Sequence, residues 1–473
     1  GICQEKSEKD IEGTGEAGRV VMVKGRDRKQ NMAEKETFLG TEPVGRLIRK
    51  MALPSIVGVL AYNIYNLADT FFIARGVGTE AAGGLAVSFP LFVFLSAVTT
   101  TLGSGAASVI SRALGEKDGE RASRAVGNSF AFFLAVALLV TVFGLLFLDP
   151  LLYLMGVTPS LLPYARTYLR IILLGAVTCT GFSNLIRAEG SSRYAMCIWV
   201  IPLSINMVLD PVLIFGFDMG IAGAAIGTVA AQCVSMGMSV WYFFLSPKRT
   251  RKIRLRHFRP DFPLLREILL TGLPSFLQTM GYSIAMVVVN RLLREQGGDL
   301  AISTYGIVSK IWTFLGLCVT GLVQGVQPIV GYNFGEKKFG RVRETMRKSC
   351  GILGCYGIGA FLLMLLGAPL ITGIFTSDEA VIGMGGHILR IFAAGTAFSG
   401  IQAVQTMYFQ AVGKKKTALF LSLCGNVLCL IPLLTLLSGW MGLDGIWYAF
   451  PLANVTAAAI STLFIRRALS SNS

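Results

Sequence analysis

Twelve apolar runs separated by short polar intervals account for most of the chain, beginning near Met51, Gly83, Ala125, Pro163, Tyr194, Gly220, Ile268, Ala301, Ser349, Ile388, Ala418 and Gly442. Each is about 20 residues or longer, enough for a helix rising about 1.5 Å per residue to cross roughly 30 Å of hydrocarbon. The pattern predicts an all-α polytopic membrane protein with 12 transmembrane helices, numbered spans 1 to 12 in chain order. Composition agrees: of 473 residues 53% are hydrophobic and 15% charged, with a mean hydropathy of +0.62. A soluble globular domain would carry roughly 25% charged residues.

The polar intervals are not equivalent. Arg46, Arg49 and Lys50 precede span 1, and Arg112, Lys117, Arg121 and Arg124 follow span 2. Arg187 and Arg193 follow span 4, the run Lys248 to Arg259 follows span 6, and Lys337 to Lys348 follow span 8. Lys414 to Lys416 follow span 10, and Arg466 and Arg467 close span 12. The alternate loops are short and carry Asp149, Asp218, Asp378, Glu379 and Asp444. This is the positive-inside pattern, which predicts a multi-pass protein with both termini cytoplasmic. The net charge of +16 is thereby read as topology, and nucleic acid is not expected as a partner.

Two tripeptides recur in one register. Leu53-Pro54-Ser55 returns as Leu273-Pro274-Ser275, and Gly115-Glu116-Lys117 as Gly335-Glu336-Lys337, both 220 positions on. A shared offset at matching places in the apolar pattern indicates a duplicated unit. Six spans per unit is an even number, so the chain is read as two parallel six-helix lobes related by a pseudo-two-fold axis along the membrane normal, with a cavity between them. The expected boundaries are a polar, disordered segment over 1–44, an N-lobe over 45–246, a basic linker over 247–263, a C-lobe over 264–467 and a tail over 468–473. Residues 1–31 read as a disordered extension or as a start placed upstream of Met32. The nine cysteines show no metal-ligand or paired spacing and are expected to be free thiols. His257 and His387 are expected at the surface, no phosphate-binding glycine loop occurs, and no enzyme activity is expected. Gly223 with Gly227 and Gly321 with Gly325 have a spacing that lets membrane helices approach closely.

Ionisable residues inside a span are the sharpest chemical signal, since a carboxylate at a helix centre costs roughly 2.5 to 3.5 kcal/mol on insertion scales. Asp69 in span 1 and Asp210 in span 5 stand at similar depth from the basic ends of their helices. Tyr65 lies one turn from Asp69 and Asn206 one turn from Asp210, each on the same helical face. Pro211 should kink span 5 and free a carbonyl, and Thr228 in span 6 falls at comparable depth. Two carboxylates, an amide and hydroxyls suit a hard cation such as Na+, or shared protons, because two acids in one cavity repel unless a cation or proton sits between them. Lys310 in span 8 is an intramembrane cation with a structural or gating role expected. Tyr62, Phe92, Trp312, Met286 and Tyr408 are candidates for an apolar pocket that takes aromatic cations. Arg166, Arg170 and Arg390 read as interfacial anchors.

Asn66-Leu67-Ala68-Asp69-Thr70 with Arg75 and Gly78, Arg187-Ala188-Glu189-Gly190, and Gln327-Pro328-Ile329-Val330-Gly331-Tyr332-Asn333-Phe334-Gly335 together resemble the multidrug and toxic compound extrusion (MATE) family, in particular its bacterial MepA/DinF-like branch. The similarity runs from Thr41 to Arg467. It implies a secondary antiporter of the bacterial cytoplasmic (inner) membrane that exports small organic cations and amphipathic drugs in exchange for Na+ or H+ by alternating access, without a cofactor and as a monomer. By that resemblance the coupling cation, Na+ included, falls to Asp69, Asn206, Asp210 and Thr228, with Tyr65 nearby. A second branch of the family places acids on spans 7 and 10. Here span 7 offers Gln278, Tyr282 and Asn290, and span 10 offers Gln402 and Gln405, so a cation site is not expected in the C-lobe. Tyr62, Gln278, Tyr282, Met286, Lys310 and Gln402 are the candidates for the drug cavity. The alternative reading is a lipid-linked glycan flippase of the same wider superfamily, which would need a strongly cationic cavity. A membrane-embedded transferase would need polar catalytic loops that the short outer loops do not offer. In the 220-residue register Asn206 meets Asn426, whereas Asp69 meets Val289 and Asp210 meets Leu430, which confines ion coupling to the N-lobe.

Overall fold

The computed structural model describes residues 38–178, 182–246 and 253–470. Spans 1 to 3 are Val44–Gly76, Thr79–Gly115 and Gly119–Leu146. Span 4 is a bent pair, Leu162–Leu174 with Ala176–Ala188, and spans 5 and 6 are Ser192–Gly216 and Gly220–Leu245. The second lobe repeats this order. Spans 7 to 9 are Phe262–Gln296, Gly298–Gly335 and Phe339–Gly373, span 10 is the bent pair Glu379–Ala393 with Thr396–Ala411, and spans 11 and 12 are Lys415–Met441 and Leu443–Ser470. Among the described residues ten helices are thus long and apolar enough to cross a membrane, and 12 when each bent pair is one span.

The duplication is visible in detail. Spans 4 and 10 bend by 53° and 48°, at Gly175 and Gly395, which stand 220 positions apart. A Cβ at Gly175 would press on Val229, and one at Gly395 on Pro451 and Asn454; each bend brings the helix against a neighbour that only glycine admits. The repeated Gly-Glu-Lys tripeptide ends spans 2 and 8. Lys117 and Lys337 take left-handed backbone angles, φ 61° and 59°, and the amides of Asp118 and Lys338 bond the Ala113 and Asn333 carbonyls at 2.8 Å. This is the hydrogen-bond pattern of a helix C-cap that usually employs glycine.

The glycine of the same tripeptide works between lobes. A Cβ at Gly115 would collide with the Tyr332 carbonyl oxygen, and one at Gly335 with that of Arg112. Gly272 abuts the Thr101 carbonyl and Gly105 that of Ile268, while Gly325 lies against Ala52 and Gly321 against Ile56. Span 2 therefore crosses span 7 as span 8 crosses span 1, about one pseudo-two-fold axis. Gly321 and Gly325 bear out their small-residue spacing.

All these crossings lie in the halves of spans 1, 2, 7 and 8 that lead to the basic loops. Both ends of the described chain meet there: Arg341 donates to the Glu42 carbonyl at 2.7 Å and Arg343 to the Leu469 carbonyl at 2.9 Å. Arg112 and Arg121 bind Glu267 at 3.0 and 2.7 Å, tying the span 2–3 corner to span 7. At the opposite end Arg166 pairs with Asp149 at 2.7 Å.

Several boundary expectations shift. Within the polar segment over 1–44, residues 38–41 are helical and Leu39 is buried, held by Asn333, whose amide donates to the Leu39 carbonyl at 3.0 Å; residues 1–37 lie outside the described residues, as do 247–252 of the linker and 471–473 of the tail. The linker's second half is folded. Leu255–Phe258 form a 3-10 turn clamped by Asn128, which donates to the His257 and Arg259 carbonyls at 3.1 and 3.2 Å. His257 is consequently buried, with Glu120 at 3.2 Å, and not at the surface, because span 3 presents Gly127 to its backbone. Span 12 continues to Ser470, into the tail. The cysteines among the described residues are free.

Candidate functional site: a paired-acid centre beside a polar cavity

Spans 1, 4, 5 and 6 of the N-lobe bring together the residues singled out by their cost in a membrane. Asp69, Asn206, Asp210, Thr228 and Tyr65 are all buried. The Asn206 amide donates to Asp210 Oδ1 at 2.8 Å, the one-turn bond its spacing allows. The Tyr65 hydroxyl lies 3.0 Å from Thr228 Oγ1, which joins span 1 to span 6. The Asp69 and Asp210 carboxyl groups are within hydrogen-bonding reach of each other. Asp69 Oδ1, Asn206 Oδ1 and Asp210 Oδ2 are buried and have no donor among the described residues. Three buried oxygen acceptors without donors, two of them on acids, fit a proton or an oxygen-seeking cation and little else. No group of three or more His, Cys, Asp or Glu residues with metal-holding geometry occurs among the described residues, so the donor set depends on the amide and hydroxyls.

Pro211 shapes the centre. Beyond it span 5 continues as a π-helical stretch, Val212–Gly216, the wider turn that absorbs a proline's missing amide and recurs at functional sites. Two residues complete the centre that sequence reasoning did not assign to it. Tyr168 of span 4 is 2% exposed and lies beside Asp69 and Thr228. The signal was the buried stripe Ala165, Tyr168, Leu169, Ile172 and Leu173, whose helical period points Tyr168 inward between two arginines. Gly227 of span 6 lies directly under the acids: a Cβ there would overlap Asp210 Oδ1 and approach Asn206 Nδ2 to 3.1 Å. Its small-residue spacing was legible, but its partner was not.

The candidates for a drug cavity separate. Tyr62 lines a cavity of about 310 Å³ with Asn63, Thr99, Arg187, Trp199 and Gln324 among its walls. Its ring meets Trp199 edge-on at 5.1 Å and Tyr65 at 6.5 Å, which links the cavity to the acid centre through span 1. Gln278, Tyr282 and Lys310 are exposed. Lys310 shares a helical face with Leu317, Thr320 and Gln324, which line the cavity. Met286 and Gln402 are half-buried: Met286 Sδ accepts the Tyr305 hydroxyl at 3.0 Å, and Gln402 donates to the Leu421 carbonyl at 3.0 Å. Trp312, half-buried, packs on Phe392 at 5.6 Å, and Tyr408, fully buried, on Phe409 at 5.1 Å. The Phe92 side chain lies outside the described residues. Arg187, counted with the loop cations, is buried inside span 4: the charge pattern cannot distinguish a loop arginine from one a turn earlier that folds inward.

A sequence profile of the MatE family matches residues 54–212 and again residues 271–436, one match in each lobe. The chain belongs to the MatE family. The multidrug export protein MepA of Staphylococcus aureus strain MRSA252 is 26% identical over 431 residues, covering 90% of this chain and 95% of that protein. MepA of Staphylococcus haemolyticus is 26% identical over 438 residues, 92% and 96% of the two chains. Among solved structures, an outward-facing multidrug resistance MATE transporter of the MOP superfamily superposes with a TM-score of 0.86 at 25% identity, over 92% of this chain and 98% of that one. A MOP superfamily transporter from Pyrococcus furiosus, described as having a binding pocket of reversed polarity, matches with the same scores and coverage. The MatE chain is thus a multi-pass membrane protein of the multidrug efflux family, with the two-lobed fold of its structural relatives.

Proposed function

We propose that this chain is an ion-coupled antiporter that exports organic cations and amphipathic drugs in exchange for Na+ or H+, working as a monomer in a bacterial cytoplasmic membrane with both termini in the cytoplasm. The observation that carries the reading is the group of three donorless buried oxygens on Asp69, Asn206 and Asp210, in a lobe whose repeat lacks the acids. Intramembrane acids confined to one lobe are a functional feature, since the scaffold is duplicated without them.

The coupling follows from differential binding. With the basic end closed, a cation or proton entering from the other side loads the acid pair and removes the mutual repulsion. Loading alters span 1 through Asp69, and the Tyr65–Tyr62–Trp199 contacts carry the change to the cavity wall. A ligand that bound both states equally would shift nothing. One monovalent ion in for one monovalent drug out is electroneutral; a second ion would add about 2.3 kcal/mol per 100 mV. The flippase reading has less support, because the paired acids would repel a pyrophosphate.

Ethidium efflux from vesicles, with Na+ and pH gradients imposed separately, tests the proposal. Asp69→Asn and Asp210→Asn should each reduce gradient-driven efflux about tenfold or more, as expected for loss of a charged ligand, at unchanged membrane abundance. Gradient-independent behaviour of the unmodified protein, or normal coupling in both variants, would overturn it.

A further inference from the structure

Each lobe is entered through a short segment that the duplication repeats. In the 220-residue register Phe38 meets Phe258 and Pro43 meets Pro263; residues 38–41 are helical ahead of span 1, and Leu255–Phe258 form the turn ahead of span 7. Each segment is gripped by the opposite lobe. Ahead of span 1, the corner between spans 8 and 9 takes hold of main-chain oxygens: Asn333 donates to the Leu39 carbonyl at 3.0 Å, Lys338 to that of Gly40 at 3.1 Å and Arg341 to that of Glu42 at 2.7 Å. Arg341 Nε also donates to Asn333 Oδ1 at 2.9 Å, which joins two of these donors into one unit. The same segment keeps its side chains on its own lobe, with Phe38 and Leu39 against Gly190 between spans 4 and 5.

Ahead of span 7 the lobes exchange roles. Asn128 of span 3 donates to the His257 and Arg259 carbonyls and accepts the Asp261 amide at 2.8 Å. Arg124 pairs with Asp261 at 3.2 Å and Glu120 with Arg256 at 2.9 Å. Asp261 in turn caps span 7 by accepting the Leu264 amide at 3.2 Å, so the first turn of the C-lobe is tied to the N-lobe. Main-chain groups withdrawn from water need partners, and each bond traded for one to water contributes little on its own; several together hold a segment that can still let go. We propose that the two entry segments are reciprocal clasps between the lobes that hold the basic end closed, coupled so that release of one favours release of the other. The lobes part at that end only when both let go, so weakening either clasp eases the motion that opens its counterpart, equally in both directions. For its meaning in transport the inference rests on the alternating-access reading above; the coupling itself does not.

Amide hydrogen exchange of the purified full chain in detergent, read by mass spectrometry on peptides covering 38–43, 255–261 and the outer stretch 149–166, tests the coupling. Asn333→Ala should speed exchange about threefold or more in 38–43, the scale of a lost hydrogen bond, and about twofold or more in 255–261, the segment gripped by span 3 instead. Asn128→Ala should do the converse. Exchange in 149–166, at the other end of the molecule, should be unchanged in both variants. A rise confined to the segment beside each substitution would mean two independent contacts and overturn the proposal, as would no rise at all; a rise in all three stretches would be general loosening and overturn it too. Should either variant not purify as a monodisperse protein, Lys338→Gln and Glu120→Gln take their places, because both side chains are partly exposed, and the same cross-lobe pattern is required of them. Absence of gradient-driven ethidium efflux in the unmodified protein, with the cross-lobe pattern intact, would defeat the export reading alone.

Discussion

Asp69 and Asp210 differ from the chain's other paired carboxylates in what they face. Glu267 has two arginines, Asp149 has Arg166 and Asp261 has Arg124, whereas among the described residues the two intramembrane acids meet an amide, hydroxyls and each other. A buried acid without a fixed cation is available for a mobile one, and that is the residue-scale basis for coupling. The smallest residue of the centre provides a test that leaves every charge in place. Gly227→Ala should place a methyl against Asp210 and abolish ion-driven ethidium efflux. Gly237→Ala on the same span, where a Cβ meets nothing within 4 Å, should transport normally at equal membrane abundance.

At the scale of elements, glycine decides where helices bend and cross. Gly175 and Gly395 place the bends of spans 4 and 10, and Gly105, Gly272, Gly321 and Gly325 let spans 2 and 7, and 8 and 1, cross with backbones in contact. Membrane helices gain no hydrophobic drive toward one another in lipid, so such close packing supplies a large part of their association. Gly272→Ala would set a methyl on the Thr101 carbonyl, an overpacking that typically costs about 1–3 kcal/mol. The expected result is a lowered unfolding midpoint of the purified protein by thermal scanning, with Gly340→Ala, in open space, unchanged.

For the whole molecule, the basic end is closed by chemistry that has to reverse for a cavity to open there. Arg112 also donates to the Ala411 carbonyl at 3.2 Å, so with Glu267 it connects spans 2, 7 and 10. Partial burial makes this cluster stronger than a surface pair, and loss of one partner leaves the other charge poorly compensated. Glu267→Gln should loosen the basic end. Spin labels on Lys117→Cys and Lys337→Cys, the two exposed capping positions, should then report a distance distribution shifted to longer values by several ångströms; an unchanged distribution would show that the ionic cluster does not hold the closure.

Span number, the duplicated register and the confinement of acids to the first lobe were legible in the sequence, because the bilayer imposes length and hydropathy on each helix separately and a duplication preserves spacing. The acid centre was largely legible too, since an intramembrane carboxylate is too costly to be incidental and Asn206 and Asp210 share a face by spacing alone. What required the tertiary structure was everything set by how one helix lies on another. Tyr168, unassigned from the sequence, joins the centre only where span 4 packs on span 6. Tyr408 reads as a pocket candidate until packing buries it completely, and Arg187 reads as loop charge until span 4 turns it into the cavity wall. Periodicity assigns a side chain to a face of its own helix; only packing decides which neighbour, cavity or lipid that face meets.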